Sequence, residues 1–158
     1  MDPPPNESPV PKPAKVEKKP VRALLRVGMR LAVVLYRWTG GRIGGRVQGL
    51  RVLLLTTTGR RTGRKHTVPV GFFRYEGAYV VTASNGGQDT HPGWLLNLRS
   101  DPATTIRIGR RDSRATAAEA PTELRDTLWG ELMQIAPGYA KYEQRTSRRI
   151  PMILLRPL

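Results

Sequence analysis

The sequence predicts a mainly β, α+β fold: an antiparallel barrel with an N-terminal amphipathic helix and short helices packed on it. Three observations lead there. About six short β-rich stretches are joined by hairpin-length turns, instead of alternating with helices as parallel βαβ units would. One long helical pattern precedes them all. The chain has 158 residues, 39% hydrophobic and 25% charged, which suits a single globular domain.

Residues 1–20 are rich in Pro and Lys and are expected to form a disordered tail. No secretory-type apolar run follows the start. The domain is expected over residues 21–158. Val21–Trp38 reads as a basic amphipathic helix, with Arg22, Arg26, Arg30 and Arg37 within about 80° on a helical wheel. Leu24, Val27, Leu31, Val34, Leu35 and Trp38 fill the broad opposite face. That face can pack on the domain or lie on an anionic membrane; its longest apolar run is far short of a membrane span. Gly40, Gly41, Gly44 and Gly45 end the helix, in a spacing that matches neither a dinucleotide nor a P-loop fingerprint, and read as a connector.

Arg51–Thr58 is β-rich, Gly59–Arg64 is a basic turn, and His66–Arg74 is a second strand whose Pro69 points to an edge or a bulge. Tyr75-Glu76-Gly77 turns the chain into a third strand, Ala78–Ser84. Asn85-Gly86-Gly87 reads as a loop and Pro92–Arg99 as a short helix. Thr104–Ile108 and Arg114–Ala120 form a second hairpin around Gly109–Asp112. Thr122 is placed to cap a helix running to about Ile135. A short helix follows Pro137-Gly138, and Ile150–Leu155 is the last strand.

Charge narrows the function. The formal net charge is +15, and residues 21–75 carry twelve Lys and Arg with no acid at all. Anionic partners follow: phosphates, polycarboxylates, nucleic acid or an anionic membrane surface. With no cysteine, disulfides, thiolate metal sites and a cysteine nucleophile are excluded. His66 and His91 lack spaced partners, so no metal site is expected, and no nucleophile elbow is present. An enzyme with this equipment would rely on a cofactor for the hard chemistry.

Two constellations suit that role. The run Thr56-Thr57-Thr58-Gly59-Arg60-Arg61-Thr62-Gly63-Arg64-Lys65 offers hydroxyls, turn N–H groups and guanidiniums to phosphate and carboxylate oxygens; it also reads as a solvated hairpin turn. In Ser84-Asn85-Gly86-Gly87, glycines allow close approach of a ring while Ser84 and Asn85 direct hydrogen bonds; an ordinary loop is the alternative.

Taken in order, these segments resemble the deazaflavin-dependent nitroreductase and quinone reductase family of actinobacteria. The resemblance runs from about Tyr36 to Pro157. Its blocks are Leu53 to Gly63, Val68-Pro69-Val70, Ala83 to Gly87, Pro92 to Leu98, Pro137 to Tyr142 and Arg148-Arg149-Ile150-Pro151. It implies a split β-barrel that binds coenzyme F420, whose phosphodiester and oligoglutamate tail suit the acid-free segment. By the same resemblance, Arg60, Arg61 and Thr62 would hold the phosphate and tail. His66, Thr67, Val68, Pro69 and Val70 would run along the cofactor and offer backbone amides. Ser84 and Asn85 would sit beside the ring, and Trp94 and Asn97 would complete the wall. Ser84, Tyr139 and Tyr142 are the implied catalytic-pocket residues, Ser84 binding the acceptor oxygen. The implied reaction is hydride transfer from the reduced deazaflavin to a quinone or nitro-aromatic acceptor. Some members carry Lys at Asn85 and aromatics at Gly71 and Ala136, so this pocket is expected to be more open.

The expected location is cytoplasmic, with peripheral contact at the inner face of the plasma membrane; a homodimer is compatible. The alternative is a non-redox split barrel binding fatty acids or other lipids at the membrane. An FMN-binding barrel is a further option. No recognised nucleic-acid motif is visible.

Overall fold

The computed structural model describes residues 19–158, with side chains from Val21 onward, so the expected tail lies almost wholly outside the described residues. The elements are α1 (Lys19–Thr39), β1 (Arg46–Val47), β2 (Leu50–Thr58), β3 (Lys65–Tyr75), β4 (Ala78–Thr82), α2 (Gly93–Ser100), β5 (Ala103–Ile108), β6 (Arg111–Glu119), α3 (Thr122–Ile135), α4 (Ala140–Gln144) and β7 (Met152–Pro157). Two 3-10 turns, Asn85–Gly87 and Pro137–Tyr139, complete the list. The strands run in the order β1-β2-β3-β4-β7-β6-β5, every pair antiparallel, and β5 returns to β2. Six strands therefore close into a barrel, and β1 is a short addition on β2. This is the antiparallel split barrel that the sequence predicts.

β2 explains why the fold closes where it does. Its apolar run serves three environments at once. Leu53 and Leu55 point into the barrel with Phe72, Val81, Ile106, Ile153 and Leu155. Val52 and Leu54 point outward beneath α1. Leu50 joins the second core, where α3 lays Leu128 and Leu132 over Phe73, Val80, Met152 and Leu154. α2 plugs the barrel with Leu95 and Leu98. α3 also carries a buried guanidinium: Arg125 is 6% exposed, donates to the Ile150 carbonyl (2.9 Å), pairs with Glu143 (3.1 Å) and stacks on Trp129.

Several boundaries differ from expectation. Thr122 is the first residue of α3, Pro121 holds the cap position, and no side chain caps this end. The β5–β6 turn is only Gly109-Arg110. Ser84 lies beyond β4, and the last strand starts at Met152.

For α1 the structure decides between the two placements left open for its apolar face. Leu24, Val27, Leu31, Val34 and Trp38 all face solvent, Trp38 being 82% exposed. The helix is instead held by Val33 and Tyr36, on a narrow strip beside the arginine row. Tyr36 is 2% exposed; its hydroxyl donates to the Val52 carbonyl (2.8 Å) and accepts from the Gly109 N–H (3.0 Å). Periodicity reveals an apolar stripe but not which element covers it, and here a tyrosine with two specific partners sets the docking side. No described helix is long and apolar enough to cross a membrane.

Tyr36→Phe leaves both backbone groups without their partner, so it should lower stability by about 1–3 kcal/mol. Urea unfolding checks this, with an unchanged slope marking an unchanged fold.

Candidate active site

The site begins with a proline. Pro69 stands in mid-strand and pairs with Leu54. It has no N–H to give β2. On β2, the Val52 N–H turns to Gly45 and the Thr56 carbonyl to Thr104, both away from β3. Residues opposite Val52, Leu54 and Thr56, namely Gly71, Pro69 and Thr67, therefore form the non-hydrogen-bonded pairs of the β2–β3 ladder. Their backbone groups face the other edge of β3. That edge is free over this stretch, because β4 pairs with β3 only from Phe72↔Val81 to Tyr75↔Ala78. The two strands part there. Thr67, Pro69 and Gly71 form one lip of the split, offering N–H groups of Thr67 and Gly71; the chain leaving β4 toward Ser84 forms the other. The expectation of an edge at Pro69 thus holds.

The alternation of β3 sends Val68 and Val70 into the barrel core, so they offer only backbone to anything in the split. Thr67 is tied to Thr56, hydroxyl to hydroxyl, at 2.8 Å.

The basic turn lies at one end of this lip. It is closed by the Gly59 N–H donating to the Arg64 carbonyl (2.7 Å), and the His66 ring and Thr62 hydroxyl crowd the Gly59 Cα. α2 holds it in place. Asn97, 7% exposed, accepts from the Arg60 N–H (3.2 Å) and donates to the Thr57 hydroxyl (3.0 Å). Its amide is thereby committed to positioning the turn. Trp94 packs against the barrel core from the same helix. The bases of the turn take part in none of the ion pairs among the described residues, which use Arg99, Arg107, Arg125 and Arg149. The Arg60 guanidinium also donates to Asn97 (3.4 Å) and the Lys65 ammonium to the Thr58 hydroxyl (2.7 Å), so the turn is a cluster of cations in no described ion pair, a donor set suited to a phosphodiester or a chain of carboxylates.

Tyrosines lie at the other end. Tyr139 and Tyr142 pack edge to face at 5.3 Å. The Tyr139 hydroxyl lies over Gly71, about where a side chain would project: a Cβ there would meet that oxygen, Leu50 and Val47 at 3.1–3.2 Å. The space expected to be open at Gly71 is thus filled by these neighbours, and Ala136 is buried in the core beneath α3. Burial, with Tyr142 adding to it, pushes the Tyr139 hydroxyl up to about 12, so it remains a proton donor at any physiological pH. Gln48 donates to the Tyr142 hydroxyl and fixes that ring.

The loop with Ser84 joins this end. At Gly87, φ is +78°, and a Cβ would meet the Tyr142 carbonyl at 3.0 Å and Arg145 at 2.9 Å, so only glycine lets the loop seat on α4. Asn85, also at positive φ, donates to the Thr90 carbonyl (2.9 Å) and closes the loop. Arg148, to which the sequence reading assigned no role, organises the whole segment. It donates to the carbonyls of Ser84 (2.8 Å), Ala83 (3.1 Å) and Gln88 (2.8 Å), and its Nη1 meets His91 Nδ1 at 3.2 Å. Three backbone carbonyls some sixty residues away leave no sequence signal. Burial first, then Arg99 and Arg148, hold His91 below its ordinary 6.5, so near neutrality the ring can accept from Arg148.

The profile of the F420H(2)-dependent quinone reductase family matches residues 28–157. An F420H(2)-dependent quinone reductase of Mycobacterium tuberculosis is 38% identical over 133 residues, covering 80% of this chain and 88% of that protein. The chain belongs to this family. Among solved structures, an F420-H2 dependent reductase superposes with TM-score 0.61 at 33% identity, covering 66% of this chain and 93% of the other. A domain-swapped dimer superposes at 0.63 with 28% identity, covering 87% and 99%. A haem storage protein of Vibrio cholerae shares the fold alone, at 14% identity and TM-score 0.54.

Arg148→Lys keeps the charge but cannot reach three carbonyls, so the amides of residues 84–91 should exchange with solvent at least about tenfold faster. The neutral His91 ring is the favoured form, so its support is complete above pH 6.5 and fades as pH falls through its lowered pKa. Hydrogen exchange at two pH values should show protection of this loop falling on the acid side in the wild type, and not in His91→Gln.

Proposed function

We propose that this F420-dependent oxidoreductase passes a hydride from reduced F420 to a quinone or nitro-aromatic acceptor held in the split between β3 and β4. The observation that carries the reading is the polarity of one strand lip. Cations in no described ion pair stand at its Arg60–Lys65 end, and a buried, protonated tyrosine with no described hydrogen-bond partner at its Gly71 end.

F420, the cofactor of this family, supplies the hydride when bound. The chain's own residues do the rest. Arg60, Arg61 and Thr62 hold the phosphodiester and the carboxylates of the tail, and Asn97 keeps the turn in register for them. The N–H groups of Thr67 and Gly71 would be available to hold the polar edge of the ring. Ser84 and Tyr139 hydrogen-bond the acceptor oxygen where negative charge develops, and Tyr142 walls the pocket. Close placement of donor and acceptor, with no side-chain nucleophile, is the main catalytic contribution. Among acceptors, a quinone fits best: one carbonyl oxygen can accept from both hydroxyls, and the relatives carry that name. The exposed apolar stripe of α1 further supports peripheral contact with an anionic membrane, where lipophilic quinones reside.

Fluorescence titration with oxidised F420 tests the first half. Saturable quenching is expected. In Arg60→Ala with Arg61→Ala, each lost charge-assisted contact should weaken binding by about 1.5–3 kcal/mol. Unchanged affinity in the folded double variant removes the turn from the cofactor site. Absence of quenching in the folded wild type, with fatty acid extracted from it, would favour the non-redox lipid-binding alternative.

Steady-state turnover with a quinone tests the second half. Tyr139→Phe should lower kcat on the order of a hundredfold, and Ser84→Ala should lower kcat more than F420 affinity. Because Tyr139 keeps its proton up to about 12, the wild-type rate should show no loss from this group between neutrality and mildly alkaline pH.

A further inference from the structure

The connector between α1 and β2 forms a cleft of about 470 Å³ outside the split just described. Its floor is Tyr36, whose hydroxyl is already bound to the Val52 carbonyl and the Gly109 N–H. Four glycines between residues 40 and 45 leave bare backbone along the wall, and Arg42, Arg46 and Arg51 complete the lining. None of the three forms an ion pair among the described residues. The cleft sits at the Leu50 end of β2, while the Arg60–Lys65 turn follows the other end. The cleft takes in Arg51 and Val52 of β2, so six residues of strand, roughly 20 Å, lie between it and the turn. The basic turn and this cleft are therefore two anion sites, not one.

We propose that the cleft binds the phosphate of an anionic phospholipid headgroup while the apolar stripe of α1 enters the acyl region beside it. The proposal rests on the membrane-contact reading above and adds the headgroup site. Three observations select this source. α1 leads directly into the cleft loop and exposes Leu24, Val27, Leu31, Val34 and Trp38. Ile43, within that loop, is 54% exposed beside Arg42. A second copy of the chain is a poor occupant, because residues 21–75 contain no acid. Four of the acids elsewhere, Asp112, Glu119, Asp126 and Glu143, are already paired to arginines. An anionic leaflet supplies both the counter-charge and the apolar phase.

The test uses the full chain in two assays. The first is co-sedimentation with vesicles of phosphatidylcholine, with and without phosphatidylglycerol, at physiological ionic strength. The second is the shift of the glycine amide resonances of residues 40–45 on titration with glycerol 3-phosphate. Arg42→Gln with Arg46→Gln removes cleft charge. Arg114→Gln with Arg156→Gln removes equal charge elsewhere. Leu31→Ser with Val34→Ser breaks the stripe.

The expected result is binding that needs phosphatidylglycerol. The cleft variant should lose it by about tenfold or more and the charge-matched control by much less. The soluble phosphate should shift the cleft amides in the wild type only. If the cleft variant and the control fall equally and no amide shifts, the headgroup site is overturned, while loss in the stripe variant keeps membrane contact alive. Cleft shifts without any vesicle binding would overturn the lipid source and leave a soluble phosphate ester. Failure of both assays overturns the proposal and the membrane-contact reading together, and leaves the F420 titration untouched.

Discussion

The parting of β3 from β4 after Phe72 and Val81 is the constraint on which the site depends. A closed barrel satisfies its own backbone, and a ligand then has only side chains to meet. Here one strand keeps its partner on one side and loses it on the other for the length of Thr67 to Gly71. Pro69 makes that loss inexpensive, since one of the donors that would be stranded does not exist. Everything around the split then has a defined duty. α2 fixes the turn at one end through Asn97, and Arg148 fixes the loop at the other through backbone carbonyls. The free strand edge thus lies between two ends held by hydrogen bonds.

The division of charge complements this frame. The acidic residues gather in the second half of the chain and hold arginines there, as in the pairs of Arg99 with Glu119 and Arg107 with Asp112. The guanidiniums of the first half take part in no ion pair among the described residues. Binding a polyanion at Arg60 and Arg61 therefore does not first require breaking an internal ion pair, whereas the same residues raise the net repulsion of the empty protein.

Local chemistry made much of this legible in the sequence. A proline inside a β-rich run announced the edge, and an acid-free run pointed to an anionic partner, whereas Asn97 was reached only through the family resemblance. Other features had no local signal. Arg148 works through carbonyls contributed by Ala83, Ser84 and Gln88, which any sequence supplies. The sequence leaves the docking side of α1 open because periodicity does not say whether the strongest apolar stripe is the packed one; a single tyrosine with two hydrogen bonds outweighs five aliphatic and aromatic side chains. The i, i+3 spacing of Tyr139 and Tyr142 showed that they share a face, but not that Gly71 lies beneath the first hydroxyl.

An unpaired strand edge usually invites another strand, and so carries a risk of aggregation. The same Pro69 limits that risk. An incoming chain would find hydrogen-bond donors at Thr67 and Gly71 but none between them, so its ladder would be interrupted at the centre. A flat aromatic ring needs only a few of those contacts and tolerates the gap. The edge thus discriminates by length of contact: hospitable to a compact heterocycle, and a poor template for polymerising polypeptide.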